Sequence, residues 1–253
     1  MTPATFNFQP VTFCMISPNG IKSILFDLDG TLRHHVPSGG EVFTEYVVGL
    51  GIPIGEEARR RAARWEHFYF ANSLEIQSDT KKYGNDERGF WVNFGRRRLR
   101  AMGCSPAQAE ALAPQASAHM RESYKPEVWI PPELRALLPS WKDAGFVLGV
   151  VSNRDEPYAH VLEEMGLDAH FEFSLAGGEV NSFKPDPGIF LEALKRAGTS
   201  AYETMYVGDN YFADVVGSLR AGLRPVLYDP NGLFPDAACS VIRSFEQLPK
   251  LLS

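Results

Sequence analysis

Cysteine is scarce in this chain: Cys14, Cys104 and Cys239 are widely spaced among 253 positions, with neither CxxC spacing nor the density of a disulfide or metal framework. They read as reduced, mostly structural thiols, and a chain of this length can bury a hydrophobic core without covalent staples. An excess of basic charge is also missing. Lys and Arg number 25 against 31 Asp and Glu, and the formal charge of -6 argues against binding a nucleic-acid backbone. The local cluster Arg96, Arg97, Arg98 and Arg100 reads as a solvated helix face. No apolar run approaches the ~20 residues that a membrane span needs. The first twenty residues contain no Lys or Arg, so the charged start of a secretory signal is absent. Repeats and low-complexity tracts are lacking too. The expectation is a cytoplasmic globular protein with neither nucleic acid nor membrane as partner, and the sequence carries no signature of oligomeric state.

What is present is an alternation of strand and helix patterns. Residues 21–27 form a short apolar run that ends abruptly in carboxylates and glycine, as a buried strand does when chemistry sits at its carboxyl end. Residues 146–151 and 204–207 read as further buried strands, and 225–228 turns extended again. Between them Tyr158, Val161, Leu162 and Met165 recur at helical spacing, with Gly166 placed to stop the helix. Phe212, Val215, Val216 and Leu219 do the same ahead of Gly222. Alternating units of this kind predict an α/β fold with a mainly parallel sheet covered by helices on both faces.

Between residues 36 and 129 helix formers dominate and no buried strand is evident. Residues 58–70 and 87–102 read as helices, and Ser105-Pro106-Ala107-Gln108 is a capping-box start for another. The aromatic segment Trp65, His67, Phe68, Tyr69 and Phe70 is expected to pack within this helical part rather than form a substrate platform. The expected organisation is an amino-terminal arm at 1–20, an α/β core at 21–35 and 130–253, and an inserted helical cap at 36–129.

The pentapeptide Asp27-Leu28-Asp29-Gly30-Thr31 is the most informative stretch. Alternation sends Asp27 and Asp29 toward one side, so two acids crowd the sheet's carboxyl edge, where a divalent cation such as magnesium would relieve their repulsion. The bland reading is an acidic turn. Asp209 stands where a second strand gives way to a helix, and Asp214 follows on its first turn, positions that also suit helix caps. Ligands of open parallel sheets lie outside the strands' carboxyl ends, so Asp27 and Asp209 can converge. Ser152 and Asn153 end another strand, either as a polar turn or as groups able to hold phosphoryl oxygens. Lys184, followed by Pro185, is a cation on a rigid segment, either solvated or balancing the acids.

Taken together and in order, Asp27 to Thr31, Ser152, Lys184 and Gly208-Asp209 through Asp214 resemble the four motifs of the haloacid dehalogenase-like hydrolase superfamily. The resemblance implies a Rossmann-like core with a type-one helical cap. It implies a magnesium-dependent phosphatase in which Asp27 is the nucleophile and Asp29 the general acid and base. Ser152 and Asn153 would orient the phosphoryl group, and Lys184 would neutralise its charge. Magnesium would sit on the Asp27 side chain, the Asp29 backbone carbonyl and Asp209, with Asp214 as a further ligand or a support for Lys184. A 2-haloacid dehalogenase is the first alternative, disfavoured because a halide leaves without needing the proton of Asp29. A phosphomutase and a non-catalytic scaffold are the others. The expected substrate is a small phosphorylated metabolite selected by the cap. Arg33, His34 and His35 either face the cleft or form a hinge.

Overall fold

The computed structural model describes residues 20–252, so the expected arm lies outside the described residues apart from Gly20. In chain order, β1 (Ser23–Phe26) and β2 (His34–Val36) precede five helices: α1 (Gly39–Gly49), α2 (Glu56–Phe70), α3 (Leu74–Tyr83), α4 (Glu87–Met102) and α5 (Pro106–Ser123). Then follow β3 (Glu127–Trp129), α6 (Leu134–Asp143), β4 (Val147–Ser152), α7 (Ala159–Met165), β5 (Phe173–Ala176), α8 (Gly177–Val180) and α9 (Pro187–Ala197). The chain continues through β6 (Thr204–Gly208), α10 (Val216–Arg220), β7 (Arg224–Tyr228), β8 (Ser240–Ile242) and α11 (Pro249–Leu252).

Six of the strands make one parallel sheet in the order β5-β4-β1-β6-β7-β8. After β1 the chain adds β4 and β5 on one side and then crosses to add β6, β7 and β8 on the other. The winding therefore reverses around β1, and a crevice opens there at the strands' carboxyl ends. All four residues of β1 are buried because both sheet faces are covered. Ile24 and Phe26 face a core with Leu138, Trp141 and Phe245, whereas Leu25 faces Ile189, Phe190 and Leu194 on the opposite side. The expected Rossmann-like α/β core with an inserted helical part is what the structure contains.

The helical segment has its own core, in which Phe43, Val47, Ala62, Leu99, Met102, Ala109 and Ala113 interlock. Helix α4 lies at its centre, against α2, α3 and α5. Ser105 opens α5 with the expected capping box, accepting from the Gln108 N–H while Gln108 accepts from the Ser105 N–H. The aromatic segment packs mainly as expected: Trp65, Tyr69 and Phe70 gather around Phe94 at ring separations of 5.3 to 5.5 Å. His67 and Phe68 instead reach the sheet part, meeting Phe234 and Phe212.

Two readings are corrected. The arginine cluster on α4 is not a solvated face except at Arg100, which is exposed. Arg98 is buried and paired with Glu66, Arg97 pairs with the buried Asp79 at 2.8 Å, and Arg96 pairs with Glu110 at 2.6 Å. A central helix must hold these long stems between its neighbours, and acids from α2, α3 and α5 meet the guanidiniums there. The helix expected from Phe212 begins instead as a wide π turn over Tyr211–Val215 before α10. Asn210 caps this turn, its side chain accepting from the Phe212 and Ala213 N–H groups and its carbonyl from the Asp214 N–H at 2.7 Å, and the wide bond itself runs from the Val216 N–H to the Tyr211 carbonyl. The antiparallel pair β2–β3, exposed for most of its length, was not foreseen.

Candidate active site

Past Phe26 the sheet ladder continues for one more bond, from the Asp27 N–H to the Val207 carbonyl at 2.9 Å. The chain then coils tightly, with the Leu32 and Arg33 N–H groups both donating to the Leu28 carbonyl. This coil keeps Asp27 buried and leaves the Asp29 side chain 43% exposed. Gly30 makes the coil possible: its φ is +96°, and a Cβ there would lie 2.5 Å from Asp209 Oδ2.

Three strand ends, those of β1, β4 and β6, converge on Lys184, which the Asn153 carboxamide holds by its backbone, accepting from the Lys184 N–H at 2.6 Å and donating to its carbonyl at 2.8 Å. The buried Lys184 Nζ donates to Asp27 Oδ1 and Asp214 Oδ1, both at 2.6 Å, and its third N–H faces the Tyr206 hydroxyl at 3.0 Å and the Val151 carbonyl at 3.2 Å. Burial alone would strip this ammonium of its proton, but the Asp214 and Asp27 carboxylates outweigh burial and hold it well above the usual lysine range. The second Asp214 oxygen accepts from the Asn210 N–H at 2.9 Å. Thr31 Oγ1 joins the remaining acids, lying 3.2 Å from Asp27 Oδ2 and 3.1 Å from Asp209 Oδ1 while accepting from the Asp209 N–H at 3.0 Å.

Asp27, Asp209 and Asp214 can each bring a carboxylate oxygen within 4.8 Å of the others. Three acids here face one ammonium. Burial, opposed by Lys184 and reinforced by the Asp214 and Asp29 carboxylates, pushes Asp27 up to about 7. Burial and the Asp27 and Asp214 charges likewise raise Asp209 well above the carboxylate range. An all-oxygen cluster with surplus negative charge suits a hard divalent cation such as Mg²⁺, which neutralises the repulsion and takes its other ligands from water or a phosphate.

Asp29 stands apart from this cluster. Its Oδ1 accepts from Arg33 Nε at 2.9 Å, and its Oδ2 accepts from Arg154 Nε at 3.1 Å and Nη2 at 3.0 Å. Asp27, Asp29, Asn153, Lys184 and Asp209 line a cavity of about 1270 Å³ between the sheet and the helical segment, whose far wall includes Phe43, Phe70, Trp91 and Met120. Ser152 is buried at the last position of β4, in register with Ala176, and is not among the lining side chains. Asp214 is likewise set behind the wall. Thr31, Tyr206, Asn210 and Arg154 were not singled out from sequence. Thr31 carried a signal as the last residue of the acidic pentapeptide. Arg33, His34 and His35, read as either cleft-facing or part of a hinge, all line the cavity, and His34 and His35 also pair with β3, His34 packing against Trp129 and Tyr228.

Comparison with known proteins agrees with this architecture. The chain is 32% identical over 208 residues to the mouse haloacid dehalogenase-like hydrolase domain-containing protein 3, covering 82% of this chain and 81% of that one. It is 30% identical to a phosphoserine phosphatase of Thermus thermophilus, covering 85% and 91% of the two chains. Among solved structures, a 2-haloacid dehalogenase from Pseudomonas syringae superposes with a TM-score of 0.53 at 28% identity, over 92% of this chain and 98% of that one. The family model for haloacid dehalogenase-like hydrolases matches residues 21–222, from the strand before Asp27 to the turn after α10, so the chain belongs to the haloacid dehalogenase-like hydrolase family.

Proposed function

We propose that this protein is a magnesium-dependent phosphatase that hydrolyses a small phosphorylated metabolite through an aspartyl-phosphate on Asp27. The observation that carries the reading is the buried Lys184 ammonium bonded to both Asp27 and Asp214, beside Asp209 and at the floor of a cavity that Asp29 also lines. A carboxylate oxygen of Asp27 attacks phosphorus, the bond to the ester oxygen breaks, and that oxygen takes a proton from Asp29. Asp29 then accepts a proton from water as the water attacks phosphorus, which releases inorganic phosphate and regenerates Asp27. Lys184 balances charge at Asp27, and Asp214 and Tyr206 hold the ammonium in place.

Asp27, Asp209 and the Asp29 backbone carbonyl would hold Mg²⁺, with Asp214 as a further ligand or the support of Lys184, and the bound ion would supply electrophilic polarisation of the phosphoryl group. Asn153 orients the phosphoryl oxygens at the end of β4 through its backbone, because its carboxamide is engaged by Lys184, and Ser152, buried beside it and outside the cavity lining, would join it only through a shift of the strand end when the phosphoryl group binds. Helices α1 to α5 act as a type-one cap, a domain spanning 36–129 that excludes water and selects the leaving group. Asp29 favours phosphoryl over halide substrates, since an alkoxide leaving group needs a proton.

Phosphate release from a panel of phosphorylated metabolites and an aryl phosphate, with Mg²⁺ and with excess chelator, tests the reading. Release that requires the metal and disappears in Asp27→Asn supports it. Folded, metal-loaded protein that releases phosphate from none of them overturns it.

A further inference from the structure

Two guanidiniums grip one carboxylate at the floor of the cavity. Arg33 reaches Asp29 Oδ1 through Nε at 2.9 Å and Nη2 at 2.7 Å, and Arg154 reaches Oδ2 through Nε and Nη2. Arg154 Nη2 also lies 3.3 Å from Oδ1. An ionised carboxylate has about four acceptor positions, so Asp29 is saturated in this arrangement and has none left for a leaving-group oxygen. The guanidiniums are not saturated in turn, because together they carry more N–H donors than one carboxylate can accept, and they leave a net positive charge facing the cavity.

Both arginines are fixed at the backbone and adjustable at the tip. Arg33 closes the coil after β1, donating its N–H to the Leu28 carbonyl at 2.9 Å and accepting from the Gly30 N–H at 2.8 Å. Arg154 follows the clamped Asn153, and its carbonyl accepts from the Gly178 N–H at 3.1 Å. Its guanidinium lies 5.8 Å above the Tyr158 ring, and its side chain is 32% exposed toward the cavity. A planar fork anchored in this way suits bidentate recognition of a second carboxylate or phosphate.

We infer that the substrate carries a second anionic group, a carboxylate or another phosphate, within one or two carbons of the phosphoester oxygen, and that this group draws Arg33 and Arg154 off Asp29. The short spacing follows from the place of the forks, which surround the carboxylate that must reach the ester oxygen. This inference rests on the phosphatase reading. It makes the leaving group's own charge the condition for freeing Asp29, so the second anion acts on turnover as well as on binding.

Steady-state kinetics on four compounds test it: ethyl phosphate, 2-phosphoglycolate, 4-phosphooxybutanoate and ethane-1,2-diol bisphosphate, with an aryl phosphate as control. A charge-assisted contact of the usual strength predicts that 2-phosphoglycolate or the bisphosphate exceeds ethyl phosphate by about 10- to 100-fold in kcat/KM, with part of the gain in kcat. The better of the two identifies which anion the forks take. The long-spaced butanoate should behave like ethyl phosphate. Arg154→Met and Arg33→Met, each confirmed folded by its unfolding temperature, should shrink the ratio of anionic to neutral substrate about tenfold, and Arg154→Lys should restore only part of it. If the aryl phosphate is hydrolysed but the native ratio is below about twofold, or the variants keep the native ratio, the inference fails and the phosphatase reading stands. A preference confined to KM would also overturn it, as attraction at the cavity mouth without release of Asp29. Hydrolysis of nothing, the aryl phosphate included, removes the phosphatase reading and this inference with it.

Discussion

The Asn210 side chain donates to the backbone carbonyl of His67 at 2.9 Å, tying the loop after β6 directly to helix α2 of the helical segment. The same carboxamide accepts from the Phe212 and Ala213 N–H groups, so one side chain both caps the π turn and joins the two walls of the cavity. Asn210→Ala removes all three bonds. Loss of a cap of this kind costs about 1 to 2 kcal/mol, which for a chain of this size lowers Tm by roughly 2 to 8 °C. Thermal unfolding of the variant beside the native protein checks this.

Among the described residues, the Lys184 ammonium is the one cation paired with the buried Asp27 and Asp214 carboxylates, at 2.6 Å from each. Lys184→Met should abolish turnover and destabilise the fold by about 3 to 5 kcal/mol, because it strands buried charge. Adding Asp214→Asn to it removes one of the stranded charges. The double variant should therefore be more stable than the sum of the two single losses predicts, a coupling that urea unfolding of all four proteins measures.

His67 supplies a pH dependence. Its Nδ1 is buried without a hydrogen-bond partner among the described residues, and burial, partly offset by Asp214 and Asp229, lowers its pKa to about 4. The unfolded chain takes up this proton near 6.5 and the native state only near 4, so stability is complete above the unfolded value and is lost as pH falls through that window. The loss amounts to about 3 kcal/mol. Asp27 works in the opposite sense, since a carboxyl raised to about 7 keeps its proton in the native state where the unfolded chain has released it. That contribution is common to native protein and His67→Gln and cancels in their difference. Unfolding at pH 8, 6 and 4 should show the native protein losing its advantage over His67→Gln across the acid limb. Parallel curves would show that His67 contributes nothing.

Gly30→Ala tests the close approach beneath the acidic cluster. A Cβ at φ +96° would press against Asp209 Oδ2, so the variant must move either the coil or the carboxylate. Strain of this kind costs about 1 to 3 kcal/mol. If Mg²⁺ binds as proposed it raises the Tm of the native protein, and displacement of Asp209 should weaken that rise. A variant with an undiminished Mg²⁺ response would mean that Asp209 is not needed for the ion.

Much of the core was legible because both faces of each central strand are apolar and each strand ends abruptly in polar residues, as at Phe26-Asp27 and Gly208-Asp209. The capping box at Ser105 was legible because it is wholly local. The strands β2 and β3 were not: each has three residues, neither alternates, and their pairing joins positions 91 or more residues apart in sequence, as in Val36 with Glu127. Arg98 was misread because its burial depends on Glu66 arriving from another helix, which no run of basic residues can announce. In the candidate site, the acids and Lys184 were found through their order along the chain. The grip of Arg154 on Asp29 was not, since it spans 125 positions and leaves no trace in local pattern.

The pairing of Val36 with Glu127 brings the two ends of the intervening helices side by side. To the sheet, those helices are a closed loop that starts and finishes at one point. Their number, length and lining can therefore change through evolution without altering the distance between the ends, and so without disturbing the meeting of Asp27 with Lys184 and Asp209. The strand pair acts as a clasp that lets the helical wall of the cavity be remodelled while the floor formed by the sheet stays constant.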